Sequence, residues 1–208
     1  MQQAKGPTVL VDQLIPRSSA ALTNAVIDAV LIVGFAALTG LSAKVAIYLN
    51  PAVPITGQTF AVLLSGAVLG SKRGAGSMLI YLGTGIAGVP VFAPEGAIPH
   101  ASIGYLIGYP VAAFIVGWVV ERGWGRNPLK LALAMLLGEV AIYGFGLPWL
   151  AFYIPDSELI ERSRLAVVYD WGLEDFIIGD TIKLIMAAVG VPLAWEAIRR
   201  LKGEEQPE

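Results

Sequence analysis

The sequence predicts an all-α membrane protein, a single bundle of six transmembrane helices. Of its 208 residues, 56% are hydrophobic and only 14% are charged, and the mean hydropathy is +0.69. A soluble domain of average composition carries about 25% charged residues. Apolar stretches recur along the chain, and at about 20 residues per span its length leaves room for six helices joined by short loops.

We expect these helices at residues 23–48, 56–70, 74–89, 104–120, 129–153 and 173–199. They form a membrane domain over residues 23–200, preceded by a cytoplasmic arm (1–22) and followed by a cytoplasmic tail (201–208). The arm has no long apolar core and does not resemble a cleaved signal peptide. Because the second and third helices are short, Pro- and Gly-rich backbone lies at one membrane face. Such backbone is tolerated only where protein or a water-filled cavity covers it, which makes that face a candidate binding site.

The basic residues predict the orientation. With the N-terminus inside, ten of the 14 Lys and Arg residues fall in cytoplasmic segments: Lys5, Arg17, Lys72, Arg73, Arg122, Arg126, Lys130, Arg199, Arg200 and Lys202. The opposite side holds only Arg162 and Arg164. Cytoplasmic loops of membrane proteins are enriched in these residues, so both termini are expected inside. The mixed-charge segment 154–172 is then an outer loop, either a lid or a solvated connector.

Several function classes are excluded at this stage. The chain has no cysteine, which removes disulfides, thiolate catalysis and cysteine metal sites, and no metal site is predicted. The net charge is −2 without a basic tract, so nucleic acid is not an expected partner. Residues 70–76 are rich in glycine but lack the spacing of a phosphate-binding loop. The chain is therefore not expected to hydrolyse ATP itself.

Charged residues inside the predicted spans mark a candidate site. Asp180 and Lys183 lie three residues apart in an otherwise apolar helix and can face each other. Charge at bilayer depth is costly and is normally paired or turned toward a polar cavity. The pair is either a structural ion pair or part of a ligand site. Glu139, in the middle of the fifth span, is a further intramembrane ionisable group, with Lys44 or Lys183 as its expected partner.

The first helix carries a stripe of small residues. Ala25, Ala29, Ala36, Gly40 and Ala43 fall within about 60° of one another on a helical wheel. Small residues permit close approach of another membrane helix. The stripe either docks a partner protein, through Ala29, Ala36, Gly40 and Ala43, or packs inside the bundle.

Five segments carry a resemblance to a known family. They are residues 51–60, 88–93, 104–108, 142–151 and 179–183, and the specific motifs among them are Val-Pro-Ile-Thr-x-Gln-Thr and Gly-Asp-x-Ile-Lys. In this order and spacing the segments resemble the BioY family, the biotin-binding S components of energy-coupling factor (ECF) transporters. The resemblance covers about residues 23–195.

The resemblance implies a multi-pass protein of the bacterial cytoplasmic membrane with an outward-facing pocket for biotin. Its partners would be membrane lipid, an ECF transmembrane coupling protein and a pair of ATPases that use ATP. It implies no catalytic residue, no enzymatic activity and no cofactor, with biotin as the transported ligand.

The chemistry of biotin then suggests roles for individual side chains. Asp180 can accept from a ureido N–H group, and Lys183 can pair with the carboxylate tail or hold Asp180 ionised. Gln58 and Thr56 offer neutral donors and acceptors. The expected apolar walls are aromatic: Phe92, Tyr105, Tyr81, Tyr143 and Trp149. For each aromatic residue, a core or membrane-interface role is the alternative.

One segment departs from the family pattern. Residues 94–105 are shorter than the usual glycine-rich loop and lack its Gly-Pro-Thr. Glu95 and His100 either replace the missing loop contacts or are solvated. The departure keeps open an S component for thiamine or riboflavin. A small intramembrane enzyme, with His100 and Glu95 or Glu139 as acid–base groups, is a third hypothesis, although no catalytic motif supports it.

Overall fold

The computed structural model describes residues 9–98 and 100–203 and is a helical bundle with one two-stranded hairpin. Its regular elements, in chain order, are α1 (Leu10–Leu14), α2 (Ala21–Ser42), β1 (Ala46–Ile47), β2 (Ile55–Thr56), α3 (Gln58–Leu69), α4 (Ser71–Ile86), α5 (Ile103–Val120), α6 (Pro128–Tyr153), α7 (Arg164–Tyr169) and α8 (Asp175–Leu201). Short 3₁₀ turns lie at Trp124–Arg126 and Asp156–Leu159, and a π turn at Asp170–Glu174 leads into α8.

Each of the six predicted helices corresponds to a helix of 12 residues or more, namely α2, α3, α4, α5, α6 and α8. Four stretches are long and apolar enough to cross a membrane: Ala21–Ser42, Ile103–Val120, Pro128–Tyr153 and Arg164–Leu201. The 12 residues of α3 are apolar but short. At about 1.5 Å per residue, α3 falls well below the roughly 30 Å of a bilayer core.

The first predicted helix ends earlier than expected. We predicted 23–48, whereas α2 ends at Ser42. The Lys44 N–H donates to the Leu41 carbonyl at 3.0 Å, a bond three residues back that tightens the last turn. The chain then enters β1, which pairs antiparallel with β2 through Ala46 and Thr56. A two-residue strand gives too weak a sequence pattern to separate it from the end of an apolar helix.

The core of the bundle is built on α5, which packs against α3, α4 and α6. Glycines allow this close approach. A Cβ on Gly66 would lie 2.4 Å from the Ala113 carbonyl oxygen, and one on Gly117 would lie 2.3 Å from the Gly70 carbonyl carbon. Backbone-to-backbone contact of this kind is how membrane helices gain packing energy without a hydrophobic driving force between them.

Both ends of the described chain lie at one end of the bundle, here called the terminal end. The Lys202 ammonium donates to the Gln13 carbonyl at 2.5 Å. α1, part of the predicted N-terminal arm, is a short helix packed on α3 and α8, and Val9 and Val11 are buried. Arg73 fixes it through two 2.9 Å bonds to the Asp12 carboxylate. The opposite end, which carries β1 and β2, is called the loop end.

The small-residue stripe of α2 lies on two different surfaces. Ala25 and Ala29 are exposed, whereas Ala36, Gly40 and Ala43 are buried inside the chain. α2 packs on α4 and α3, and the Val91 Cβ lies 3.4 Å from where a Gly40 Cβ would be. For Ala36, Gly40 and Ala43 the partner-docking prediction is therefore wrong, and internal packing is the correct alternative.

Candidate ligand-binding cavity

A cavity of about 330 Å³ opens at the loop end, between α3, α5, α6, α8 and the loop that follows α4. Eight of the ten predicted ligand-binding residues line it: Thr56, Gln58, Phe92, Glu95, Tyr105, Tyr143, Asp180 and Lys183. The volume lies at the lower end of the range of about 300–1,000 Å³ typical of small-molecule sites. The structure thus brings together side chains that are up to 127 residues apart in the chain, from Thr56 to Lys183.

The Asp180 carboxylate is the polar centre of the cavity. Tyr143 donates to its Oδ2 at 2.5 Å, and Thr59 donates to its Oδ1 at 3.1 Å. Lys183 Nζ lies 2.9 Å from Oδ1 and 3.0 Å from the Thr59 hydroxyl. Thr59 was not predicted as a site residue, although it is the last residue of the Gln-Thr pair that closes the specific motif.

Asp180 and Lys183 form the predicted i,i+3 ion pair, with side chains 9% and 17% exposed. The pair also lines the cavity. The two alternatives offered by the sequence therefore do not exclude each other, because one oxygen of Asp180 is held by Lys183 while the carboxylate as a whole faces the open space.

The turn into α3 positions a second polar group. Thr56 donates to Gln58 Oε1 at 2.8 Å, and the Gln58 N–H donates back to the Thr56 hydroxyl at 3.2 Å. Such local side-chain bonds are typical of the residues that begin a helix. Gln58 Nε2 lies 2.6 Å from the Tyr81 hydroxyl. Tyr81 is fully buried and is absent from the described lining, so its predicted role as a wall is wrong; it holds Gln58 from behind.

Aromatic rings form the apolar walls. Tyr105 packs edge-on against Tyr143, with ring centroids 6.1 Å apart, and lies 6.4 Å from Phe176. The Tyr105 hydroxyl donates to the Gly172 carbonyl at 2.9 Å, which ties the π turn before α8 to the wall. Phe92 packs edge-on against Tyr81 at 5.3 Å. Phe176 was missed because an aromatic residue at the start of a long apolar helix has no distinguishing pattern.

The segment between α4 and α5 forms the rim, and its backbone carbonyls are bound by side chains from elsewhere. Lys44 donates to the carbonyls of Pro90 and of Phe92, the latter at 3.0 Å. Lys44 is thereby occupied at the rim, so the expectation that it pairs with Glu139 is wrong. Tyr48 donates to the Pro94 carbonyl. Burial, together with the charge of a nearby glutamate, raises the pKa of Tyr48.

At this rim His100 Nδ1 lies 3.0 Å from the Glu95 carboxylate, and both side chains are 57% exposed. Both also line the cavity. Trp149 donates to the His100 carbonyl at 3.0 Å and stacks on Tyr153. Trp149 is not among the described lining residues and supports the rim from outside, so its contact with the ligand stays a prediction.

The outer segment 154–172 is not a free loop. It contains α7, and Asn50 donates to the Trp171 carbonyl at 3.1 Å and to the Asp175 carboxylate at 2.9 Å. Val167, within α7, is fully buried. The part near α8 is therefore packed against the bundle and is not a solvated connector, although none of the described residues that line the cavity belongs to 154–172.

The sequence model of the BioY family matches residues 15–200. The chain belongs to the BioY family. Three of its relatives are a probable biotin transporter BioY from Lysinibacillus sphaericus, 34% identical over 77% of this chain and 82% of the relative, and the biotin transporters BioY of Thermotoga maritima (36%; 74% and 88%) and Rhodobacter capsulatus (35%; 74% and 86%).

A solved structure gives the fold of this BioY-family chain independently. The crystal structure of the S-component for biotin from an ECF-type ABC transporter superposes with a TM-score of 0.69. The superposition covers 90% of this chain and 96% of the solved chain, and the two sequences are 23% identical. The S-component fold predicted from the family resemblance is thus confirmed.

The cavity combines few polar anchors with large apolar surface. A carboxylate, an ammonium and a primary amide converge on one region, while the other walls are aromatic or aliphatic. Such a site suits a compact ligand whose polar group offers both N–H donors and an acceptor and whose remaining ring is apolar.

Proposed function

We propose that this chain is the substrate-capture subunit of a vitamin uptake transporter and that the cavity binds biotin. The observation that carries the proposal is the Asp180–Lys183 pair inside the cavity, an acceptor and a donor 2.9 Å apart. The ureido ring of biotin carries an N–H donor next to a carbonyl acceptor. Asp180 accepts from the N–H and Lys183 donates to the carbonyl, two charge-assisted bonds on adjacent ligand atoms.

The remaining parts of biotin fit the other surfaces. The thioether ring is largely apolar and packs against Tyr105, Tyr143 and Phe176. The carboxylate tail extends toward the rim, where His100 lies. In this arrangement Lys183 binds the ureido carbonyl. The carboxylate tail is contacted by the segment 94–105, in which this chain departs from the family pattern.

A thermal-shift comparison tests the ligand. A ligand that binds only the folded state raises the melting temperature by an amount that grows with its concentration above Kd. Biotin is expected to raise the melting temperature of the detergent-purified protein, whereas thiamine and riboflavin at equal concentration leave it unchanged. A larger rise with either of the other vitamins would reassign the pocket while leaving the fold unchanged.

We further propose that the six-helix bundle lies in the bacterial cytoplasmic membrane, with the short helices α3 and α4 not crossing it fully, the terminal end in the cytoplasm and the cavity open to the outside. The basic residues support this orientation, since Arg73, Arg122, Arg126 and Lys202 belong to segments at the terminal end. Cytoplasmic enrichment of Lys and Arg is the general rule for membrane proteins.

The energy for uptake is proposed to come from an ECF transmembrane coupling protein and a pair of ATPases, since this chain carries no phosphate-binding loop. The exposed part of the α2 stripe, at Ala25 and Ala29, is the surface we assign to the coupling protein. Small side chains there permit a partner helix to approach closely. The protein itself performs transport and no catalysis.

A further inference from the structure

Glu139 is a buried acid that the proposed ligand contacts do not use. It lies in the middle of α6, and the residue is 5% exposed. Among the described residues, neither of its carboxyl oxygens has a hydrogen-bond partner. Buried polar groups nearly always have a partner, so a carboxyl with none calls for an explanation.

The position of Glu139 relates it to the cavity. It precedes Tyr143 by four residues, one helical turn toward the terminal end and on the same face. Tyr143 donates to Asp180, so these two residues lie at the same level. Because α8 runs opposite to α6, Lys183 lies about one turn from Asp180 toward the terminal end. Glu139 and the Cα of Lys183 are therefore at about the same level of the bundle.

The ionisable groups around Glu139 come from three helices. Asp180 and Lys183 of α8 act on its carboxyl electrostatically, and Glu139 in turn acts on Tyr143 of α6 and Tyr109 of α5. The fourth neighbour, α3, has no titratable residue over Gln58–Leu69. One cation thus faces two carboxyls.

The hydrogen bonds decide which carboxyl is charged. Asp180 accepts from Tyr143, Thr59 and Lys183, whereas Glu139 accepts from none of the described residues. A second carboxylate here would be buried without compensation, which is strongly unfavourable. Glu139 is therefore the member of the set that carries a proton.

We propose that Glu139 is a proton-binding site that positions Lys183 for the ligand. While Glu139 is protonated, Lys183 stays on Asp180, where it faces the cavity. When the proton leaves for water, Glu139 becomes a second anion that draws the Lys183 ammonium one turn deeper, away from the ligand. The inference rests on the proposed function, because the ligand whose affinity changes is biotin.

The main experiment is a pH series of biotin affinity. Isothermal titration from about pH 5 to about pH 9 spans the interval between the ordinary ranges of a carboxyl and an ammonium group. The Kd of the unmodified protein is expected to rise by about tenfold or more toward the alkaline end, the scale of losing one charge-assisted bond. In Glu139→Gln, which cannot ionise, the ratio of the alkaline to the acidic Kd should fall close to one.

The matched control is Glu158→Gln, which removes an exposed carboxyl near the loop end. It should keep the full pH dependence. An unmodified protein with a flat profile, or a Glu139→Gln profile as steep as that of the unmodified protein, would overturn the proposal. A structural role of Glu139 alone would shift the Kd at every pH and leave the slope in place.

A second measurement uses the ligand-free protein and does not depend on any biotin affinity. The infrared pH-difference spectrum of the ligand-free protein should show loss of a carboxylic-acid C=O band on alkalinisation, and Glu139→Gln should lack this band. If Glu139→Gln does not fold, the unmodified protein is compared with Lys183→Gln, which removes the neighbouring cation. The carboxylic-acid band should then differ between the two proteins. Absence of the band in the unmodified protein refutes the proton site even if biotin binds. If the band is present but biotin does not bind at any pH, only the biotin assignment is refuted.

Discussion

At the scale of single residues, the Asp180 carboxylate is held by donors from three helices: Thr59 of α3, Tyr143 of α6 and Lys183 of α8. The donors fix its orientation before any ligand arrives, which lowers the entropic cost of binding. The depth of a charged pair in an apolar helix was enough to predict Asp180 and Lys183. Thr59 and Tyr109, which also lines the cavity, were missed because an uncharged residue at depth gives no comparable signal.

Variants of the pair separate binding from stability. Asp180→Asn keeps the shape but exchanges a charged acceptor for an amide, so biotin affinity should fall by about 10- to 100-fold. Each single change, Asp180→Asn or Lys183→Gln, leaves its partner buried and uncompensated and should destabilise the fold by about 3–5 kcal/mol. The double variant should recover the melting temperature without recovering affinity. Tight binding by the double variant would mean that the pair is only a structural staple.

Tyr143 is expected to act through Asp180. Tyr143→Phe removes the donor on Oδ2 but keeps the ring that packs against Tyr105. Loss of a hydrogen bond to a charged group costs about 1.5–3 kcal/mol, so the biotin Kd should rise roughly tenfold or more. Tyr153→Phe, at the partly exposed ring stacked on Trp149, is the matched control and should bind normally. Equal affinities of the two variants in titration calorimetry would contradict this role.

At the scale of elements, glycines decide how closely the helices pack. Gly117 of α5 touches the backbone where α3 passes into α4, whereas a Cβ on Gly144 of α6 would meet nothing within 4 Å. The sequence shows many glycines in the spans, but it does not show which of them lie at a contact. The same limit applies to the α2 stripe. Its residues share one face of the helix, yet Ala36, Gly40 and Ala43 are buried whereas Ala25 and Ala29 are exposed.

A pair of glycine variants tests this packing. Gly117→Ala forces a methyl group to within 2.3 Å of backbone and should destabilise by about 1–3 kcal/mol or more. Gly144→Ala, in open space in the same bundle, should be neutral or slightly stabilising because alanine favours helix by up to about 1 kcal/mol. Thermal unfolding in detergent measures both. Equal melting temperatures would show that α5 does not make the close contact described here.

The exposed half of α2 is tested by uptake. Ala29→Trp should leave biotin binding intact and abolish ATP-dependent biotin uptake in cells, because the large ring keeps a partner helix at a distance. Leu133→Trp places the same ring on an exposed apolar face of α6 and should leave uptake unchanged. Normal uptake by Ala29→Trp would move the docking surface elsewhere. Ala36→Trp should instead destabilise the fold, since Ala36 is buried.

At the scale of the whole molecule, all six predicted helices are present with ends close to those expected, apart from the end of α2. Hydropathy predicts four of them, α2, α5, α6 and α8, because apolar stretches of this length have few alternatives to a helix in lipid. The rim could not be predicted in the same way. Its shape depends on carbonyls bound by Lys44, Tyr48 and Trp149, contacts between distant segments that leave no periodic pattern.

The absence of cysteine makes the orientation directly measurable. Glu161→Cys introduces one thiol at the loop end, and Lys130→Cys introduces one near the terminal end; both positions are exposed. In intact cells a membrane-impermeant maleimide should label only the Glu161→Cys protein, and both should be labelled after lysis. The reverse pattern in intact cells would place the cavity on the cytoplasmic side.

The most direct test of the whole account is isothermal titration of the purified protein with biotin, thiamine and riboflavin. The cavity, its Asp180–Lys183 anchor and its aromatic walls predict one biotin site per chain, with no measurable heat of binding from thiamine or riboflavin at the same concentrations. Binding of thiamine or riboflavin as tight as or tighter than that of biotin would contradict it.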